Sequence, residues 1–366
     1  MRLSCKSTLL IAIALALQLG AVGQTYERSR TVNRSFAVKP NTEIQVINKY
    51  GNIHMVRWEK DSVRFEIELV VKGNKQSKIQ KNFEMIDFDF TKTDYYVIAR
   101  TTFEANKGAF WDELSDLANT IFSGSNRTQI DYKVYVPGSC PIKLDNKFGN
   151  VYIGDQHAPA DIAISNGDLK ANAFHDDLKL EIDFGKAGIR NVKSAEIIAG
   201  YAEMDIKRAD KLKIDSKSST FDLGLVGEIH VESRRDEINI EEIGVLSGNL
   251  SFSELKIEYF TEYSNMTVNY GSMDFQSVSE AFRQIRVNAK YTDIDLNFDR
   301  NAAFEISLEH DDKTDISLPP AAKGLEKKEV KDRDGFYRTE GLIGQGTKLP
   351  RVDISIESGH IFITHY

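Results

Sequence analysis

From residue 178 to residue 262 the chain divides into 17-residue lines that open at Leu178, Ala195, Leu212, Ile229 and Leu246. Stacked, the lines form columns. The third column reads Leu180, Ile197, Ile214, Val231 and Gly248, and the tenth reads Ala187, Met204, Phe221, Ile238 and Leu255. The twelfth reads Ile189, Ile206, Leu223, Ile240 and Ile257, and the fifteenth Val192, Ala209, Val226, Ile243 and Phe260. Within a line the apolar positions alternate, which is the two-residue period of strands and not the 3.6-residue period of helices. Gly, Ser, Asp and Asn fall between the runs, as tight turns require. A fixed period with strand alternation predicts a coil in which each turn lies on the last. Each line is expected to hold two or three strands of about four to six residues.

Flanking segments extend the pattern less regularly. Residues 142–156 and 162–174 read as earlier lines, and residues 264–278 and 285–299 as later ones, with a helical turn expected at 279–284. Residues 304–318 make a less regular line. Residues 319–350 read as a long polar loop, and residues 352–366 as the last line. About twelve lines, each roughly 4.8 Å thick, predict a rod about 55–60 Å long. Residues 24–141 differ in texture. After a first line at 43–58 come longer alternating runs at 63–71, 85–90, 95–101 and 129–136, with a short helix at 77–84. They predict a wider β-sheet with one or two short helices that caps the coil, because an open end would expose strand edges and core. An insertion at 103–127 interrupts it. There Phe110, Leu114, Ile121 and Phe122 fall near helical spacing beside Trp111, predicting an amphipathic helix over 108–123 that packs on the cap or meets a partner.

Residues 1–23 read as a signal peptide: Arg2 and Lys6 precede an apolar run at 9–17, and Ala21-Val22-Gly23 forms a small-residue cleavage site. No further apolar run is long enough to span a membrane. The formal net charge is −8, and loss of residues 1–23 makes it two units more negative. That balance argues against nucleic acid as the main partner. Of the two cysteines, Cys140 alone lies beyond the leader, so no internal disulfide is expected. Four Asn-x-Ser/Thr sequons, at Asn33, Asn126, Asn249 and Asn265, have no evident role.

Two segments repeat a motif: Asn48-Lys49-Tyr50-Gly51-Asn52-Ile53 and Asn146-Lys147-Phe148-Gly149-Asn150-Val151. Tyr270-Gly271-Ser272-Met273 is a looser copy. The glycine is expected to supply a backbone conformation that other residues resist. This Asn-Lys-aromatic-Gly turn resembles the "putative adhesin" family of exported bacterial proteins, a domain of unknown function related to the head domains of autotransporter adhesins. The resemblance implies a right-handed parallel β-solenoid in the periplasm or on the cell surface of a Gram-negative bacterium. It carries over no catalytic residue.

No phosphate-binding loop, zinc spacing or nucleophile elbow occurs, and the seven histidines share no ligand spacing. No catalytic residue and no cofactor is expected. The outward ninth and eleventh columns are acidic: Glu203, Asp205, Asp222, Glu237, Glu254, Asp274, Asp293 and Asp295. This ladder is an ordinary solvated face or a place for a divalent cation or a basic partner. The expected function is a non-enzymatic, adhesin-like binding or structural envelope protein whose ligand is a protein or polysaccharide surface. The alternative is a polysaccharide lyase or hydrolase on a parallel β-helix.

Overall fold

The computed structural model describes residues 25–103, 127–346 and 348–366. The expected signal peptide at 1–23 and the expected helix at 108–123, with Phe110, Trp111, Leu114, Ile121 and Phe122, lie outside the described residues.

Alternating apolar and polar side chains produce strands almost throughout. The first part holds β1 (Tyr26–Ala37), β2 (Glu43–Lys49), β3 (Ile53–Trp58), β4 (Ser62–Gly73), helix α1 (Gln76–Glu84), β5 (Ile86–Lys92), β6 (Tyr96–Phe103) and β7 (Arg127–Pro137). Next come β8 (Ile142–Lys147), β9 (Val151–Gln156), β10 (Ala160–Ser165), β11 (Leu169–Asp183), β12 (Lys186–Gly200), β13 (Glu203–Lys217), β14 (Thr220–Arg234), β15 (Glu237–Ser251) and β16 (Glu254–Asn269). The chain finishes with β17 (Ser272–Val278), β18 (Gln284–Phe298), β19 (Phe304–Asp311), β20 (Asp315–Ser317), β21 (Ala322–Glu329), β22 (Phe336–Ile343) and β23 (Arg351–His365).

The repeat is a parallel β-solenoid. Lys186 pairs with Glu203 and Ala195 with Leu212, so the register equals the sequence period. The same offset holds from β13 to β14 and from β14 to β15. The third, tenth, twelfth and fifteenth columns are buried between two facing sheets, apart from the small Gly248 in the third. In place of two or three short strands per line, each 15-residue strand covers the second half of one line and the first half of the next. It bends where the chain crosses between sheets. The segment at 279–284 is a hydrogen-bonded turn, with the Phe282 amide donating to the Ser279 carbonyl at 3.2 Å.

The N-terminal sheet prolongs both faces of the coil. On one, β1, β4 and β7 pair antiparallel, and β7 then lies parallel to β3. On the other, β5 and β6 pair antiparallel, and β6 lies parallel to β2. Helix α1, which joins β4 to β5, buries Ile79. Strand β1 carries no sequence signal, because as an edge strand it buries no side chain fully.

The C-terminal end departs from sequence order. Strand β23 lies between β18 on one side and β19 with β20 on the other. The last strand in sequence is thus not the last rung in space. Residues 319–350, expected as a loop, instead carry β21 and β22, an antiparallel hairpin paired onto β19. Their side chains are mostly exposed, so this polar hairpin leaves no apolar stripe in the sequence.

Candidate binding face

Two coils turn one corner at the Asn-Lys-aromatic-Gly motif, at Asn48–Gly51 and Asn146–Gly149. Inside it, the Asn146 Nδ2 donates to the carbonyls of Gly51 at 3.1 Å and Gly149 at 2.8 Å. Asn48 does the same with Ile130 at 3.0 Å. The aromatic residue, not the glycine, takes the left-handed conformation: φ is 70° at Tyr50 and 58° at Phe148. The glycine is required for space instead, since a Cβ on Gly149 would lie 1.9 Å from the Gly51 carbonyl oxygen. The second asparagine joins neighbouring coils, the Asn150 amide donating to Asn52 Oδ1 at 2.9 Å and the Asp168 amide to Asn150 Oδ1 at 2.9 Å.

The same corner recurs with a left-handed residue at Phe184, Tyr201, Ser218, Arg235, Phe252, Tyr270 and Tyr291. Where neighbouring coils both place an aromatic there, the rings stack. Centroids are 5.3 Å apart for Tyr50 and Phe148, 5.0 Å for Phe184 and Tyr201, 4.9 Å for Phe252 and Tyr270, and 5.1 Å for Tyr270 and Tyr291. Sequence reading found three of these corners; the column that links the rest is aromatic in some lines and Ser, Arg or, at Asn166, Asn in others. Burial pushes the Tyr50 phenol up to about 12 and lowers the neighbouring Lys49 ammonium.

The outward side of the next strand has room for a ligand. A trough of about 670 Å³ crosses the strands of β3, β9, β11, β12 and β13. Its walls and floor include His54, Tyr152, Lys170, Gly188 and Asp205 in one row, and Gly154, Asn172, Arg190 and Lys207 in the next. Glycine makes it deep: a Cβ on Gly154 or Gly188 would meet nothing within 4 Å. The rings of His54 and Tyr152 stack 4.5 Å apart at one end. At the other end Lys207 pairs with Asp205 at 2.9 Å. A smaller hollow of about 260 Å³ continues beyond Lys207, past Asp222, Asn239, Glu241 and Lys256. Sequence reading missed the basic and aromatic half, because the column was followed only from the line that opens at Leu178.

The eight acidic positions do share this face. Glu203, Thr220, Glu237, Glu254, Ser272 and Asp293 follow one another in register, as do Asp205, Asp222, Asn239, Lys256, Asp274 and Asp295. Lysine and histidine interleave with them: Lys186 lies 2.5 Å from Glu203, and His360 lies 2.8 Å from Asp293. Burial, with Asp274 and Asp293 close by, raises the Asp295 carboxyl above its ordinary value. Among the described residues no group of three or more His, Cys, Asp or Glu side chains is placed to hold a metal ion. Cys140 is buried, and burial raises its thiol pKa above the ordinary value.

Among solved structures the chain is similar to a "putative adhesin" from Bacteroides fragilis NCTC 9343. The two are 12% identical over 65% of this chain and 96% of that one, with a TM-score of 0.32. A "putative adhesin" from Parabacteroides distasonis ATCC 8503 is 13% identical over 74% of this chain and 93% of that one, with a TM-score of 0.28. A "putative lipid binding protein" from the same organism is 10% identical over 73% and 93%, with a TM-score of 0.29. No family model matches the chain, and no curated protein does. The functional reading therefore rests on the chain's own geometry. No helix among the described residues is long and apolar enough to cross a membrane.

Proposed function

We propose that this chain is an exported, non-enzymatic, adhesin-like protein of the cell envelope that binds an extended surface ligand along the outward face of its solenoid. The observation that carries this reading is the open trough of about 670 Å³ that runs across successive coils. A trough perpendicular to the strands suits a linear polymer, because every coil presents it with outward positions in register. Rigid strands hold those side chains in place, which limits the entropy lost on binding. The leader-like pattern at 1–23 supports export to the periplasm or surface of a Gram-negative cell, and cell fractionation tests that part. For binding, the purified chain is screened against polysaccharides and envelope preparations, beside a Gly154→Trp variant that fills the trough. Binding lost in the variant supports the reading. Reproducible cleavage of a bound polysaccharide, abolished by Asp205→Asn, would make the chain a carbohydrate-active enzyme instead.

A further inference from the structure

We infer that the trough binds an acidic polysaccharide, one whose pyranose rings carry carboxylates. The inference rests on the binding reading above and names its ligand class. Three observations carry it. First, among the described residues Lys170 and Arg190 have no ion-pair partner, although the chain as a whole has an excess of acids. Two such cations on adjacent coils, with Lys207 one coil further, face an open trough. Second, the stacked rings of His54 and Tyr152 stand at one end of the trough and line it with aromatic edges. Such edges give the apolar side of a sugar ring a surface to rest on beside the cations. Third, the coils repeat at about 4.8 Å, and a pyranose in an extended chain advances by about the same distance. Consecutive sugars can thus meet consecutive coils: one ring on Tyr152, with carboxylates of the following sugars on Lys170 and Arg190.

The same face also sets an end to the site. Past Lys207 it presents Asp222, Glu241 and Glu258 against one base, Lys256, and on balance repels a polyanion. The ligand is therefore held over the first half of the solenoid and not along its full length.

The test is affinity electrophoresis of the full-length protein in gels that contain polygalacturonate, dextran, poly-glutamate or single-stranded DNA. Retardation by polygalacturonate alone is the expected result, and it weakens as sodium chloride is raised. Lys170→Ala and Arg190→Ala should each weaken binding roughly tenfold, since each removes one charge-assisted hydrogen bond. Both side chains are exposed, so both variants should melt like the parent. Equal retardation by dextran, poly-glutamate or DNA overturns the inference, and so does no retardation by polygalacturonate. Gly188→Trp separates this inference from the reading beneath it. If Gly188→Trp abolishes binding to a ligand that Lys170→Ala and Arg190→Ala leave unchanged, the binding face stands and the acidic ligand falls. If Gly188→Trp binds every ligand as the parent does, both fall.

Discussion

At the scale of residues, the corner motif assigns each of its members a task. The asparagine ties up carbonyls inside the bend, the aromatic residue bends the chain, and the glycine lets neighbouring coils touch. Gly149→Ala should therefore destabilise the protein by about 1–3 kcal/mol, as overpacking does, and a lowered melting temperature would show it. The buried columns are less forgiving. Ile240 is 1% exposed, and Ile240→Asp places an unpaired charge in the stacked core. Loss of the cooperative thermal transition is the expected outcome, whereas Asp205→Ser, on the outward face, should keep it. An Ile240→Asp protein that melts with the parent would contradict the column assignment. These columns were readable from sequence because burial repeats with the register. The reason for the glycine was not, since its constraint comes from a carbonyl on another coil, 98 residues away in the case of Gly149 and Gly51.

At the scale of elements, sequence period predicts sequential stacking, and it does so correctly until the chain reaches β18. Strand β23 then enters between β18 and β19, because it forms parallel ladders on both sides while β19 pairs antiparallel with the hairpin strand β22. Nothing in the alternation of one strand says which neighbour it will take, so this insertion and the hairpin were illegible. Asp311 holds the junction. It accepts hydrogen bonds from Thr314 Oγ1 at 2.6 Å, Ser358 Oγ at 2.8 Å and the Ser358 amide at 3.2 Å. Burial works to raise its pKa, but these hydrogen bonds outweigh it and leave the carboxyl below its ordinary value. On the hairpin side, the Arg338 guanidinium 2.9 Å away, with Arg333, lowers Glu309 despite partial burial. A lowered carboxyl pKa contributes stability above the unfolded-state pKa and loses it as pH falls through the folded-state value. Acidification should therefore loosen this end first, seen as faster amide exchange in β22 and β23 while β12–β15 stay protected. In Asp311→Asn that exchange should already be fast near neutral pH and should depend less on acid.

At the scale of the whole molecule, charge is distributed along the rod. The outward face is basic and aromatic from His54 to Arg190, mixed where Glu203 and Asp205 meet Lys186 and Lys207, and mainly acidic from Asp222 to Asp295. Coils about 4.8 Å apart set like charges against each other, at roughly 1 kcal/mol per pair in water. Lys186, Lys207 and His360 relieve Glu203, Asp205 and Asp293 in part. Asp295 keeps the strain: its raised pKa means that ionisation costs stability, which is full below the unfolded-state pKa and falls as pH rises through the folded-state value. Asp295→Asn should therefore raise the melting temperature near neutral pH, and the gain should vanish in acid, where the parent carboxylate is already protonated. With lysine, asparagine and histidine interleaved among the acids, screening is enough to relieve the rest. Sodium chloride should raise the melting temperature, and millimolar calcium should add no more than its ionic strength explains. A specific calcium stabilisation, removed in a double variant with Asp205→Asn and Asp222→Asn, would show that the ladder holds a cation that its side-chain geometry alone does not suggest.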